Sequence, residues 1–84
     1  MSVYLDGQFL PLAEAKVSVL DRGFVFGDGV YELVPVYSNK PFRLDEHLRR
    51  LQGSLDAIRL ANPHDMAAWR ERILELIARQ DFAD

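Results

Sequence analysis

At residue 44 the apolar residues of this chain change period, and that change limits the folds open to it. Before it, hydrophobic side chains alternate or come in short bursts. From Leu44 onward, Leu48, Leu51, Leu55 and Ile58 follow at helical spacing, with Asp45 placed to favour the helix start. A second stripe, Trp69, Ile73, Leu76 and Ile77, predicts another helix, in which Glu75 and Arg79 form a favourable four-residue pair. Between the two, Asn62-Pro63 is expected to stop the first helix and open the second, with Asn62 as cap and Pro63 in the first turn.

The residues before this point read as strands. "VYLDGQFLP" holds two apolar runs joined by Asp6-Gly7, a pair that favours the primed turn of a β-hairpin. "EAKVSV" alternates Ala15, Val17 and Val19 against Lys16 and Ser18, the period of a half-buried strand. "VYELVPVY" predicts a second, more buried strand, in which Pro35 marks an edge or a bulge. Ser38-Asn39 then turns the chain into a short strand at "KPFRL". Strands first and helices second give the α+β class, short antiparallel strands followed by two helices.

Two helices on three or four short strands make a thin core for 84 residues, so the chain is expected to be part of a larger domain. A net charge of −3 gives no electrostatic reason to expect nucleic-acid binding. The sequence has no cysteine, which excludes a disulfide framework and a thiolate metal site. Its apolar stretches are too short to span a bilayer, and "MSVYLDGQF" lacks the features of a secretory signal. A soluble cytoplasmic protein is the expectation.

Chemistry concentrates in "DRGFVFGDGVYE", residues 21–32, where Gly23, Gly27 and Gly29 permit close backbone approach and left-handed conformations. The spacing is neither a dinucleotide fingerprint nor a Walker loop, and by itself it equally suits a tight structural turn. In the strand that leaves it, Tyr31, Leu33 and Pro35 face one side and Glu32, Val34 and Val36 the other. Tyr31 is either a core tyrosine or a phenol at a pocket mouth, donating to a substrate carboxylate. Glu32 is either exposed or a buried acid paired with an Arg or His. On the first helix His47, Arg50 and Ser54 form a stripe beside the apolar face, with Arg49 on the opposite flank. That stripe is a solvated surface or a site for a phosphate or carboxylate. His64 reads as a surface residue, the two histidines have no metal spacing, and Lys16 and Lys40 read as exposed and unactivated.

These features, in this order, resemble the N-terminal part of the class IV (fold type IV) pyridoxal-phosphate enzymes. The resemblance lies in "VYLDGQFLP", "DRGFVFGDGVYE" and "VYSNKPFRLDEHLRRL", covers nearly all of the chain, and is most like the D-amino-acid aminotransferases. It implies that residues 1–84 are part of a small α+β domain, with pyridoxal 5′-phosphate as cofactor. Arg50 would bind the cofactor phosphate, Tyr31 would help hold the substrate carboxylate, and Leu33 would shape the pocket beside it. The implied reaction passes an amino group between a D-amino acid and a 2-oxo acid in a homodimer, without nucleic acid or membrane. Branched-chain transamination and aminodeoxychorismate lyase activity are alternatives within the family, and a non-catalytic interaction module is the alternative outside it. In the family the Schiff-base lysine and the acid facing the pyridine nitrogen come from a C-terminal domain, and neither Lys16 nor Lys40 matches that lysine. The chain is therefore expected to be a fragment without a catalytic residue of its own, inactive alone.

Overall fold

Two turns of matching chemistry shape the strand region. In the computed structural model, which describes residues 1–80, Asp6 (φ 50°) and Gly7 (φ 82°) both take positive φ. A primed turn requires this, and its twist suits the strands it joins. β1 (Ser2–Leu5) and β2 (Gln8–Pro11) pair antiparallel, with Val3 opposite Leu10 and Tyr4 opposite Phe9. Ser38 (φ 48°) and Asn39 (φ 61°) make the second such turn, between β3 (Val36–Tyr37) and β4 (Lys40–Pro41). Each hairpin is a separate two-stranded sheet. Neither is long enough to be stable by itself, so the helices must hold both.

The helices are α2 (Leu44–Ala57) and α3 (Met66–Ala78), following a one-turn helix, α1 (Arg22–Phe26), in the glycine-rich connection. The apolar row of α2 forms the core: Leu44, Leu48 and Leu55 are buried. Burying such side chains contributes about 1.5–3 kcal/mol each. Trp69, Ile73, Leu76 and Ile77 of α3 face Leu48, Leu51, Val34 and Val36 across a cavity of about 380 Å³, which Glu32 also lines. The first hairpin docks on α3 through its aromatic pair. The Tyr4 and Phe9 rings lie 4.9 Å apart, and the Arg79 guanidinium sits 4.3 Å from the centre of the Phe9 ring. Gln80 closes this contact by bonding both ways with Ser2, accepting from its N–H (3.0 Å) and donating to its carbonyl (2.6 Å). No helix among the described residues is long and apolar enough to cross a membrane.

The α+β class and both hairpin turns match expectation, as does the Glu75–Arg79 pair at 3.3 Å. Four details do not. "EAKVSV" is not a strand: a 3₁₀ turn spans Leu12–Glu14, and the residues after it run irregularly with Val17 and Val19 exposed. Alternation marks a face that could be covered, and nothing among the described residues lies alongside to pair with it. "VYELVPVY" keeps its alternation, but among the described residues only Val36–Tyr37 is paired as a strand, and residues 30–35 have no regular secondary structure rather than forming a buried strand. "KPFRL" forms a strand only at Lys40–Pro41, because the chain turns at Phe42 and α2 begins at Leu44.

The fourth difference is the junction between α2 and α3. α2 stops at Ala57, well before Asn62, through a left-handed residue at Arg59 (φ 58°). The Leu60 N–H bonds the Leu55 carbonyl (3.0 Å) and the Arg59 N–H bonds that of Asp56 (3.1 Å). This is the Schellman pattern, which satisfies the last carbonyls of the helix. α3 opens at Met66 with Asp65 as its cap, accepting from the Ala68 N–H at 2.8 Å. Asn62 instead ties the two helices together. Its Oδ1 accepts from Trp69 Nε1 (2.6 Å) and its Nδ2 donates to Gln52 (2.9 Å). His64 is half-buried rather than on the surface, its ring 4.9 Å from that of Trp69.

The core and the glycine cap give different expected costs on substitution. Leu48→Ala is expected to lower stability by about 2–4 kcal/mol in urea unfolding of the chain. Gly27→Ala should cost about 1 kcal/mol, because Gly27 has φ 71°. Gly29→Ala, where φ is not positive and nothing lies within 4 Å of the added carbon, should stay within about 0.5 kcal/mol. Equal costs at Gly27 and Gly29 would contradict the left-handed end of α1.

Candidate functional site

The glycine-rich connection is a capped helical turn. Asp21 accepts from the Gly23 N–H at 2.8 Å and starts α1, and Gly27 ends it in the left-handed region. A Cβ at Gly23 would lie 3.0 Å from the Asp21 carboxylate oxygen, so a side chain there would crowd the cap. Arg22 and Asp28 pair at 2.7 Å across the loop. Both side chains are exposed, and such a pair contributes at most about 1 kcal/mol. The cap and the glycines therefore shape the turn more than the ion pair does.

Beyond the turn, burial alternates from Val30 to Val34 and sorts the side chains. Tyr31 and Leu33 point outward, 89% and 74% exposed. Glu32 points inward toward α2, where three groups meet. His47 and Arg50, one turn apart on the flank of the leucine row, reach the same carboxylate from the helix side. His47 Nδ1 lies 2.9 Å from Glu32 Oε1, Arg50 Nε donates to Oε2 at 3.0 Å, and Arg50 Nη2 donates to Oε1. An ionised carboxylate only accepts, so His47 must carry its proton on Nδ1 to complete the bond. The 3.4 Å separation of Arg50 Nη2 from His47 Nδ1 is then a contact between two donors, not a hydrogen bond.

The cluster is asymmetric in exposure. The Glu32 and His47 side chains are shielded, at 10% and 16%, while Arg50 is 67% exposed. The guanidinium of Arg50, followed by the N–H of His47, holds the Glu32 carboxyl at about 2, well below the usual carboxylate range. Glu32 in return raises Arg50 above its ordinary value, with a last, smaller contribution from nearby Tyr31. An acid fixed in its charged form thus backs a cation whose other side faces solvent. Among the described residues, Arg50 Nη1 makes no hydrogen bond, and two thirds of the side chain is exposed.

The structure brings Arg50, His47 and Glu32 together and settles Glu32 as the paired acid. Tyr31 and Leu33 lie on the opposite side of the same segment, and Ser54 is not among the partners of Glu32. Arg49 faces elsewhere, beside Arg43, Glu46 and Arg70. Sequence reasoning missed α1. The signal available was Asp21 two residues before Gly23, with Gly27 closing the turn, a cap and a stop around five residues.

The lowered Glu32 carboxyl makes a pH prediction. The folded value lies below the unfolded one, 4.5, so the stabilisation is complete above about pH 4.5. It is lost as pH falls through that value toward 2. Wild type should therefore be more stable than Glu32→Gln above about pH 5, and the margin should shrink as pH falls toward 2 in urea unfolding. A margin independent of pH between about 5 and 2 would contradict the ion pair.

Known proteins share this stretch. The family model described as Amino-transferase class IV matches residues 29–84. A D-alanine aminotransferase of Staphylococcus aureus (strain N315) is 43% identical over 74 residues, 88% of this chain and 25% of the relative. One of Staphylococcus epidermidis (strain ATCC 12228 / FDA PCI 1200) is 40% identical over 77 residues, 92% of this chain and 26% of the relative. One of Listeria monocytogenes serotype 1/2a (strain 10403S) is 37% identical over 82 residues, 98% of this chain and 28% of the relative. The chain thus spans about a quarter of the length of the curated relatives it matches. The matched residues include Tyr31, Glu32, His47 and Arg50, and on this match the chain belongs to the class IV aminotransferases.

Proposed function

We propose that this chain is the N-terminal part of a pyridoxal 5′-phosphate-dependent aminotransferase that passes an amino group between a D-amino acid and a 2-oxo acid. One observation carries the reading. Arg50, a guanidinium held by Glu32, which His47 braces, is two thirds exposed, and among the described residues its Nη1 makes no hydrogen bond. The cluster suits a phosphate monoester, whose oxygens accept charge-assisted hydrogen bonds from such a cation. The similarity to D-alanine aminotransferases supports the D-amino-acid assignment.

Pyridoxal phosphate, when bound, supplies the electron sink for moving an amino group. The residues of this chain bind and orient. Arg50 would hold the phosphate. Tyr31 would donate its hydroxyl to the substrate carboxylate, and Leu33 would bound the space beside it. Both are exposed here, where a substrate or a second surface can reach them. The lysine and the acid that complete the chemistry would belong to a C-terminal domain, so residues 1–84 alone would be inactive. Homodimerisation and a cytoplasmic location belong to the same reading.

The test uses the full-length protein. It is expected to purify with a visible cofactor band and to form D-glutamate from D-alanine and 2-oxoglutarate. Arg50→Ala should weaken pyridoxal phosphate binding by about tenfold or more, since a hydrogen bond to a charged group is worth roughly 1.5–3 kcal/mol. Exclusive use of L-leucine-type substrates would overturn the D-amino-acid assignment, and failure to bind pyridoxal phosphate would overturn the whole reading.

A further inference from the structure

Glu32 occupies one edge of Arg50 completely. Its two oxygens span Nε and Nη2, the side-on edge that a guanidinium offers for bidentate binding of carboxylate or phosphate. An anion arriving from solvent therefore meets the opposite end, at Nη1. Glu32 is not free to move aside, because His47 donates to the same carboxylate at 2.9 Å and both side chains are shielded. We infer that Glu32, braced by His47, is a positioning residue that presents Arg50 end-on to a phosphate monoester. This rests on the reading of Arg50 as the phosphate-binding group.

Two effects of opposite sign act on a phosphate bound there. The charge of Glu32 repels the phosphate, while its hydrogen bonds hold a long side chain in a single orientation. Without them Arg50 would be a flexible cation, and binding would have to order its stem. The geometry favours positioning as the larger effect. The Glu32 carboxylate is turned toward three N–H groups, two of Arg50 and one of His47, which neutralise it locally. Its oxygens are engaged on the side away from the open Nη1 end.

The two effects predict opposite results for the same variants. Cofactor-stripped full-length protein would be titrated with pyridoxal 5′-phosphate and, separately, with pyridoxal, which lacks the phosphate. Glu32→Ala is expected to raise the Kd for pyridoxal phosphate about tenfold, the size expected when a charged hydrogen-bond partner is lost. The Kd for pyridoxal should change by less than about twofold. Glu32→Gln, which keeps the shape and an acceptor, should fall between wild type and Glu32→Ala, and it carries the test should Glu32→Ala fail to fold. In an Arg50→Ala background, Glu32→Gln should add nothing, because there is no guanidinium left to position.

Unchanged or tighter pyridoxal phosphate binding in the Glu32 variants, with Arg50→Ala still weakening it, would overturn the positioning role and leave the proposed function standing. Equal weakening of both ligands would reduce Glu32 to a structural ion pair and also overturn it. An Arg50→Ala variant that still distinguishes pyridoxal phosphate from pyridoxal as wild type does would overturn the phosphate assignment, and this inference with it.

Discussion

The carboxylate of Glu32 joins a backbone segment that has no strand partner among the described residues to the helix that carries Arg50. β3 begins only at Val36, and among the described residues the ladder reaches back no further than the Pro35 carbonyl, which accepts from the Phe42 N–H (2.8 Å), so ladder hydrogen bonds do not hold residues 30–34 in place. Side chains do that instead. Val34 and Val36 face the helices, and Glu32 binds His47 and Arg50 from α2. This arrangement sets the direction of Tyr31 and Leu33 as well. With a period of two, fixing Glu32 inward turns both neighbours outward.

α2 serves two purposes through one periodicity. Leu44, Leu48 and Leu55 face the core, while His47 and Arg50 lie along the edge of that face. A helix anchored by three buried leucines does not roll easily, since rolling would expose about 1.5–3 kcal/mol of apolar burial per side chain. The position of the guanidinium is thus set by hydrophobic packing on one side and by a charge-assisted pair on the other. Asn62 adds a polar tie between Gln52 of α2 and Trp69 of α3, beside the apolar contact of α3 with Leu48 and Leu51.

Much of this was legible in the residues, and the failures have a common cause. Asp6-Gly7 and Ser38-Asn39 act through the φ values of their own residues, so the turns could be read directly. The leucine row and the Trp69 stripe carry their periodicity in the sequence. "EAKVSV" and "VYELVPVY" failed because a strand needs a neighbour, and alternation describes only one side of that relation. The end of α2 failed differently: Arg59 in a left-handed conformation has no sequence signal comparable to glycine. At the site, the stripe of His47 and Arg50 could be read, and Glu32 could be recognised as a possible partner. Its choice of both depended on bringing residues 32 and 50 together across the β3–β4 hairpin and the turn at Phe42–Arg43.

The two halves of the proposed site differ in how far this chain determines them. The anion end is built within the described residues, because Arg50, His47 and Glu32 satisfy one another and one direction stays open. The substrate end is not. Tyr31 and Leu33 stand in solvent, and Phe24 and Phe26 of α1 are exposed as well. A single phenol without walls binds a small carboxylate weakly, since selectivity for a small molecule comes from a concave, mostly apolar enclosure. On the proposed reading, recognition of the phosphate would be a property of this segment, whereas the choice among amino acids would depend on a surface that closes over Tyr31. Changes at Glu32 or His47 would then alter how the cofactor is held, and changes in the covering surface would alter which substrate is chosen.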